Sequence, residues 1–262
     1  MRSVGFARMV VLAALVWACS GSFSFAADKI GIVLMHGKGG RPGAMIDTLA
    51  GKLSAAGFEV ETPEMPWSRN RIYDRDYEES MTEIDAAVAK LKAKGATRIV
   101  IAGQSMGANA AIGYGARRDG LAAVVAIAPG HVPENQFFRR KLGKDVAKAK
   151  DLVAAGKGEE AVTVGDINQG EYFPRMVRPR IYVSWFDPEG PAVMPGNAAK
   201  FKPGAAFLWI VGEQDRILQR GEGYVFGRIP SHPKNAYVVV PGGHTDTPDT
   251  GADKIIAWLK GL

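Results

Sequence analysis

Cysteine is nearly absent: the 262 residues hold one, Cys19, inside an N-terminal stretch with the character of a leader. A mature form without it has no disulfide, no thiolate metal site and no cysteine nucleophile. Histidine is almost as scarce. His36, His131, His232 and His244 are the only four, and their spacing matches no zinc-ligand pattern, so no metal is implied. Beyond the N-terminus no run reaches the roughly eighteen consecutive apolar residues of a membrane helix, and the mature chain is expected to have no stable membrane span. Charge of one sign is not concentrated anywhere. The 33 basic and 27 acidic residues give +6, spread along the chain without the footprint of a nucleic-acid binder. No cofactor is implied, and the expected partner is a small molecule.

What is present begins with the leader. Arg2 and Arg8 precede an apolar run over 9–18, which passes into the small residues around Ser20, Gly21 and Ser22. A short basic region, an apolar stretch and a small-x-small site describe a secretory signal peptide over 1–26. Ser24-Phe25-Ala26 is the best cleavage pattern, leaving a mature start at Ala27 or Asp28 and a periplasmic or secreted protein. Val16-Trp17-Ala18-Cys19 loosely matches the box before a lipidated cysteine, although Trp17 is atypical there. Removing Arg2 and Arg8 from the 33 basic residues leaves 31 against 27, a net of +4.

The remainder, 27–262, has the length of one α/β domain. Apolar runs over 29–34, 58–62, 98–102, 121–128, 206–211 and 236–240 predict six strands. Between them, 44–56, 77–94 and 108–117 have the spacing of helices; Met81, Ile84, Val88 and Leu91 mark one buried face, and Gly57 ends the first helix as a C-cap. Strands apolar almost throughout, separated by helices, predict a parallel sheet covered on both faces. The segment 131–181 breaks this rhythm. It is charged, with helical propensity and no evident strand, and is expected to be a helical insertion capping the carboxyl edge of the sheet. Its Arg139, Arg140 and Lys141 read as a solvated helix face.

Two motifs carry chemistry. Gly103-Gln104-Ser105-Met106-Gly107 lies between an apolar strand and a helical run. The glycines permit a sharp turn that holds a serine at its tip, and a helix N-terminus behind it favours developing negative charge. Independently, Leu34-Met35-His36-Gly37-Lys38-Gly39-Gly40 closes the first strand with a glycine-rich turn. Acyl transfer needs two preorganised N–H donors for its oxyanion. The residue after the serine, Met106, supplies one, and the Lys38 backbone is expected to supply the other. His36 reads as a residue that shapes the turn.

In these motifs, and in the order of Ser105, Asp215 and His244, the chain resembles an α/β-hydrolase over essentially its whole mature length. The resemblance implies the α/β-hydrolase fold, with about six mostly parallel strands, and serine hydrolysis of carboxylic esters through a Ser–His–Asp triad and an acyl-enzyme. The first predicted strand already carries the oxyanion turn, so the two leading antiparallel strands of the larger family sheet have no counterpart, and the core is similar to the minimal lipase type. The resemblance places the acid at Asp215, after the strand over 206–211, with Glu213 as rival. His244, in the loop Pro241-Gly242-Gly243-His244, is then the base. Asp246 and Asp249 are expected to cap the helix starting near Ala252, and His232 to lie at the surface. Trp67, His131 and Trp185, with Phe186 and Met194, are candidate pocket walls, each equally readable as ordinary packing.

Thioesterase, lipase and peptidase activities use the same machinery. From other classes, Gly37, Gly39 and Gly43 after a strand, with Glu61 closing the next, resemble a dinucleotide-binding turn, but His36 at the turn opposes it. A non-catalytic binding protein on the same fold requires a defect that the sequence does not show.

Overall fold

The structure is a computed structural model that describes residues 28–262. The leader over 1–26, its cleavage site and Cys19 lie outside the described residues.

Six strands form the sheet: β1 (Ile30–Met35), β2 (Glu59–Glu61), β3 (Arg98–Ser105), β4 (Ala123–Pro129), β7 (Ala206–Gly212) and β8 (Ala236–Val240). Their order is β2-β1-β3-β4-β7-β8, and every pairing is parallel. Parallel neighbours need crossovers, which the helices supply: α1 (Asp47–Ala55), α2 (Tyr77–Ala93) and α3 (Met106–Gly115) link the first strands, and α7 (Thr247–Thr250) and α8 (Ala252–Lys260) close the chain.

Each apolar strand serves two cores. Along β1, Ile32 and Leu34 join Leu49 and Leu53 of α1 and Ile255 and Leu259 of α8 on one face. Val33 and Met35 point the other way, toward Tyr77, Met81 and Ile84 of α2 and Ile112 of α3. Burial on both faces is why these strands read as unbroken apolar runs. The second helix starts where the sequence allows a capping box. The Asp76 carboxylate accepts from Glu79 N at 2.8 Å, and the Glu79 carboxylate accepts from Asp76 N at 2.7 Å. No helix among the described residues is long and apolar enough to cross a membrane.

The insertion is helical only in part, which corrects the expectation for 131–181. It contains α4 (Gln136–Ala154), then an antiparallel hairpin of β5 (Val162–Asn168) and β6 (Glu171–Val177), and runs into α5 (Pro179–Phe186); α6 (Met194–Ala198) follows before β7. Gln169 and Gly170, at φ 51° and 88°, make the two-residue turn, whose left-handed conformation matches the strand twist. Gly165 faces Pro174 across the ladder, and a Cβ on Gly165 would lie 2.2 Å from the Tyr172 ring. Glycine and proline are poor strand residues, and they obscured the pattern. Arg139, Arg140 and Lys141 are exposed on α4.

Candidate active site

The chain turns sharply from β3 into α3 at Ser105, which sits at φ 57° and ψ −114°. A non-glycine residue held there costs on the order of 1–3 kcal/mol and persists only where its surroundings over-determine it. The flanking glycines make the turn possible. A Cβ on Gly103 would lie 2.3 Å from the Gly107 carbonyl carbon, and one on Gly107 would lie 2.6 Å from Met35 O. Gly130, after β4, keeps space open on the other side, since its Cβ would lie 2.7 Å from Ser105 Oγ.

Three side chains from three strand ends meet at this turn. The Ser105 hydroxyl lies 2.9 Å from His244 Nε2, and His244 Nδ1 lies 2.7 Å from Asp215 Oδ2. Asp215 is buried, and its other oxygen accepts from Ile217 N at 3.0 Å. With Nδ1 donating to the carboxylate, His244 Nε2 is left as an acceptor for the serine proton. Glu213, the rival, is exposed, and its backbone N–H bonds Val240 O at 2.8 Å. Its side chain plays no part in the arrangement.

The His244 loop is fastened from several sides. Gln214 N donates to Gly242 O at 3.0 Å, and Gln104 Nε2 donates to His244 O at 3.3 Å. Asp246 accepts from Gly243 N at 2.8 Å, so it braces this loop, while Asp249 falls within α7. Neither caps α8, whose N-cap position is Gly251 without a side-chain bond. His232 lies apart, half-buried, accepting from Lys234 N at 3.1 Å.

The turn after β1 packs directly on the serine. A Cβ on Gly37 would lie 3.1 Å from Ser105 Cβ and 2.2 Å from the Gln104 side-chain oxygen. His36 is buried beneath it, with Nδ1 donating to Gly37 O at 2.8 Å and Nε2 accepting from Met65 N at 3.1 Å. The Lys38 N–H has no hydrogen-bond partner among the described residues. Met106 opens α3, where the N–H groups have no intrahelical acceptor. Lys38 and Met106 both border the same cleft as Ser105.

Residues 32–254 match the alpha/beta hydrolase family. The chain belongs to that family. Among solved structures, a monoacylglycerol lipase from Paleococcus ferrophilus is similar at 22% identity, covering 88% of this chain and 94% of that one, with a TM-score of 0.63. A thermostable carboxyl esterase from Bacillus coagulans aligns at 18% identity over 90% and 91% of the two chains, with a TM-score of 0.64. A thioesterase domain from the curacin biosynthetic pathway aligns at 14% identity over 89% and 92%, with a TM-score of 0.55. Identities this low establish the shared fold. A search of curated protein sequences returns no match.

In this alpha/beta hydrolase a cleft of about 360 Å³ opens over Ser105 and His244. Phe137 and Phe138 of α4 and Ile167 of β5 form its apolar wall, and His131, Lys38 and Met106 also border it. Of the candidate wall residues Trp67, His131, Trp185, Phe186 and Met194, His131 alone lines this cleft. Trp185 is fully buried, with its ring 5.5 Å from Trp67 and 4.8 Å from Tyr77 and its indole N–H on Arg75 O. It supports the cleft from behind, where its carbonyl accepts from His131 Nε2 at 2.7 Å. Trp67 is also buried; it donates to His36 O at 2.8 Å and borders a separate hollow with Lys38, Tyr73 and Asp166. Met194 is packed in the core. Among the described residues no group of three or more His, Cys, Asp or Glu is placed to hold a metal.

Two histidines make stability depend on pH. Burial holds the His36 imidazole below its ordinary pKa of 6.5, against a smaller upward pull from the Gly37 carbonyl. Burial, and secondarily the Lys38 charge, hold His131 well below the same value. Both rings fold neutral and titrate near 6.5 once unfolded, so below that pH the unfolded chain binds more protons than the folded one. Stability present above about pH 6.5 is therefore lost as pH falls through the slightly acidic range. Thermal unfolding between about pH 7.5 and 5 should show Tm constant and then falling, with a shallower fall in His131→Gln. A wild-type Tm that holds or rises on acidification would contradict this account.

Proposed function

We propose that the protein is an exported serine hydrolase that cleaves carboxylic esters through an acyl-enzyme. The observation that carries this reading is the chain of hydrogen bonds from Ser105 through His244 to Asp215, with Ser105 held in a strained turn. In the proposed reaction, Ser105 Oγ attacks the ester carbonyl while His244 Nε2 takes its proton. Negative charge develops on the carbonyl oxygen and is met by the N–H groups of Lys38 and Met106. The tetrahedral adduct collapses, and His244 returns the proton to the departing alcohol. Water then enters by the same route in reverse, with His244 again as base, releasing the acid and restoring Ser105. Asp215 stays ionised throughout, fixing the tautomer and balancing the imidazolium.

The apolar wall of Phe137, Phe138 and Ile167 supports a substrate with a hydrocarbon acyl or alcohol part. The test is a panel of activated esters of rising acyl length, run beside a thioester and a peptide substrate, together with fluorophosphonate labelling. Hydrolysis of the esters and a label on Ser105 are expected. A preference for the thioester or the peptide would change the substrate class, and a label on another residue would remove Ser105 from the mechanism.

Export rests on the N-terminal pattern around Arg2, Arg8 and Ser24-Phe25-Ala26. Full-length protein made in a bacterial host should appear outside the cytoplasm with its first residue at Ala27 or Asp28. A retained Met1 on active protein would overturn export, and a lipid on Cys19 would replace a free form with an anchored one.

A further inference from the structure

Asp166 belongs to β5 of the inserted hairpin, yet it is 3% exposed and is turned toward the glycine-rich turn after β1. Its Oδ1 pairs with the Lys38 ammonium, and the two side chains are only 4% and 7% exposed. The same ammonium donates to Ile167 O at 2.9 Å and sits 5.1 Å from the Phe186 ring centroid and 5.8 Å from that of Phe138. The other carboxylate oxygen accepts from the Tyr73 hydroxyl at 3.1 Å, and that hydroxyl lies 3.7 Å from Met106 Sδ. Tyr73 reaches this position from a strained loop, with Ile72 and Tyr73 at φ 48° and 58°. One carboxylate of the insertion therefore binds the Lys38 ammonium with one oxygen and the Tyr73 hydroxyl with the other, and the single hydroxyl proton, given to Asp166, leaves the approach to Met106 Sδ as a packing contact.

Lys38 needs such an anchor. The turn is held on either side of it, by Gly39 N on Trp67 O at 2.9 Å and Gly40 N on Gly37 O at 3.0 Å, but neither the Lys38 N–H nor its carbonyl has a hydrogen-bond partner among the described residues. Its ammonium is the end that is tied down. A buried ion pair is a poor way to add stability, because two well-packed apolar side chains of similar size do as well or better. Burial pulls the Lys38 pKa down, and the Asp166 charge and hydrogen bond oppose that pull. An oxyanion site depends on donors fixed before charge develops, and displacement on the order of 1 Å costs about 10²-fold in rate.

We propose that Asp166 is a positioning residue which, with Tyr73 orienting its carboxylate, holds the Lys38 oxyanion donor against Ser105. The hairpin β5–β6 is then part of the catalytic apparatus as well as a wall of the cleft. This rests on the reading of Ser105 as nucleophile.

The test uses Lys38→Met/Asp166→Leu, which removes both charges together and keeps the Lys38 backbone N–H, and Tyr73→Phe, which removes a single hydroxyl. Circular dichroism and Tm establish folding, and kcat and KM are then measured on one activated ester. The double variant should lose about 10–100-fold in kcat with KM within about threefold. Its affinity for a trifluoromethyl ketone, which adds to the serine to form an oxyanion, should weaken by the same factor as kcat/KM. Tyr73→Phe should lower kcat several-fold in the same direction, and it decides the matter should the double variant fail to fold. A folded double variant with kcat within twofold of wild type, or a loss confined to KM, would overturn the proposal while leaving the triad reading intact. Ester hydrolysis that survives Ser105→Ala would overturn the triad reading, and this proposal with it.

Discussion

Ser105→Ala should lower kcat on an activated ester by about 10⁶ and abolish fluorophosphonate labelling, with folding near wild type. The size follows from what the hydroxyl supplies. Without it no acyl-enzyme forms, and His244 has no nucleophile to deprotonate; only weak water attack in the oxyanion site remains. The fold should tolerate the change, because alanine keeps the Cβ that the strained turn accommodates and only the bond from Oγ to His244 disappears. Labelling and hydrolysis are measured on the same preparation, with Tm as the control. Alanine protein that still labels would mean the reactive group lies elsewhere in the chain.

Much of this was legible in the sequence, for identifiable reasons. The six strands stood out because a parallel sheet covered on both faces demands apolar side chains at successive positions, as in Ile32, Val33, Leu34 and Met35. Ser105 stood out because its turn has few solutions, and glycines at 103 and 107 are required by backbone contacts of 2.3 and 2.6 Å. His244 stood out because so few histidines compete with it.

The misses share a different character. The hairpin β5–β6 was hidden by Pro174 and Gly165, although the Gln169-Gly170 pair was a turn signal that could have found it. Trp185 stayed open between cleft wall and packing residue because an aromatic residue after an insertion looks alike whether it faces a cleft or the core behind it. Only tertiary packing against Trp67 and Tyr77 decides that. Lys38 was selected for its backbone, while its side chain escaped notice. Its partner Asp166 is 128 residues away, and no local pattern encodes such a meeting.

The acid is where sequence offered a choice, and there the geometry makes the sharper prediction. Asp215→Asn should lower kcat by about 10⁴ while leaving the fold near wild type. The two oxygens of Asp215 have separate duties: Oδ1 accepts from Ile217 N at 3.0 Å, and Oδ2 accepts from His244 Nδ1 at 2.7 Å. An asparagine has one acceptor oxygen, and the Ile217 N–H, fixed in the main chain, claims it. The amide NH₂ is then turned toward His244 and requires Nδ1 to be the acceptor. That moves the imidazole proton to Nε2, the atom that must receive the serine proton, and the base is disabled without any loss of packing. Glu213→Gln should change kcat by no more than about twofold, because the Glu213 side chain is exposed and outside the hydrogen-bonded chain. Both variants are compared with wild type on one ester, with Tm measured for each. If Glu213→Gln proves the crippling change and Asp215→Asn the mild one, the carboxylate that orients His244 is the one two residues earlier, and the roles drawn from the 2.7 Å contact are wrong.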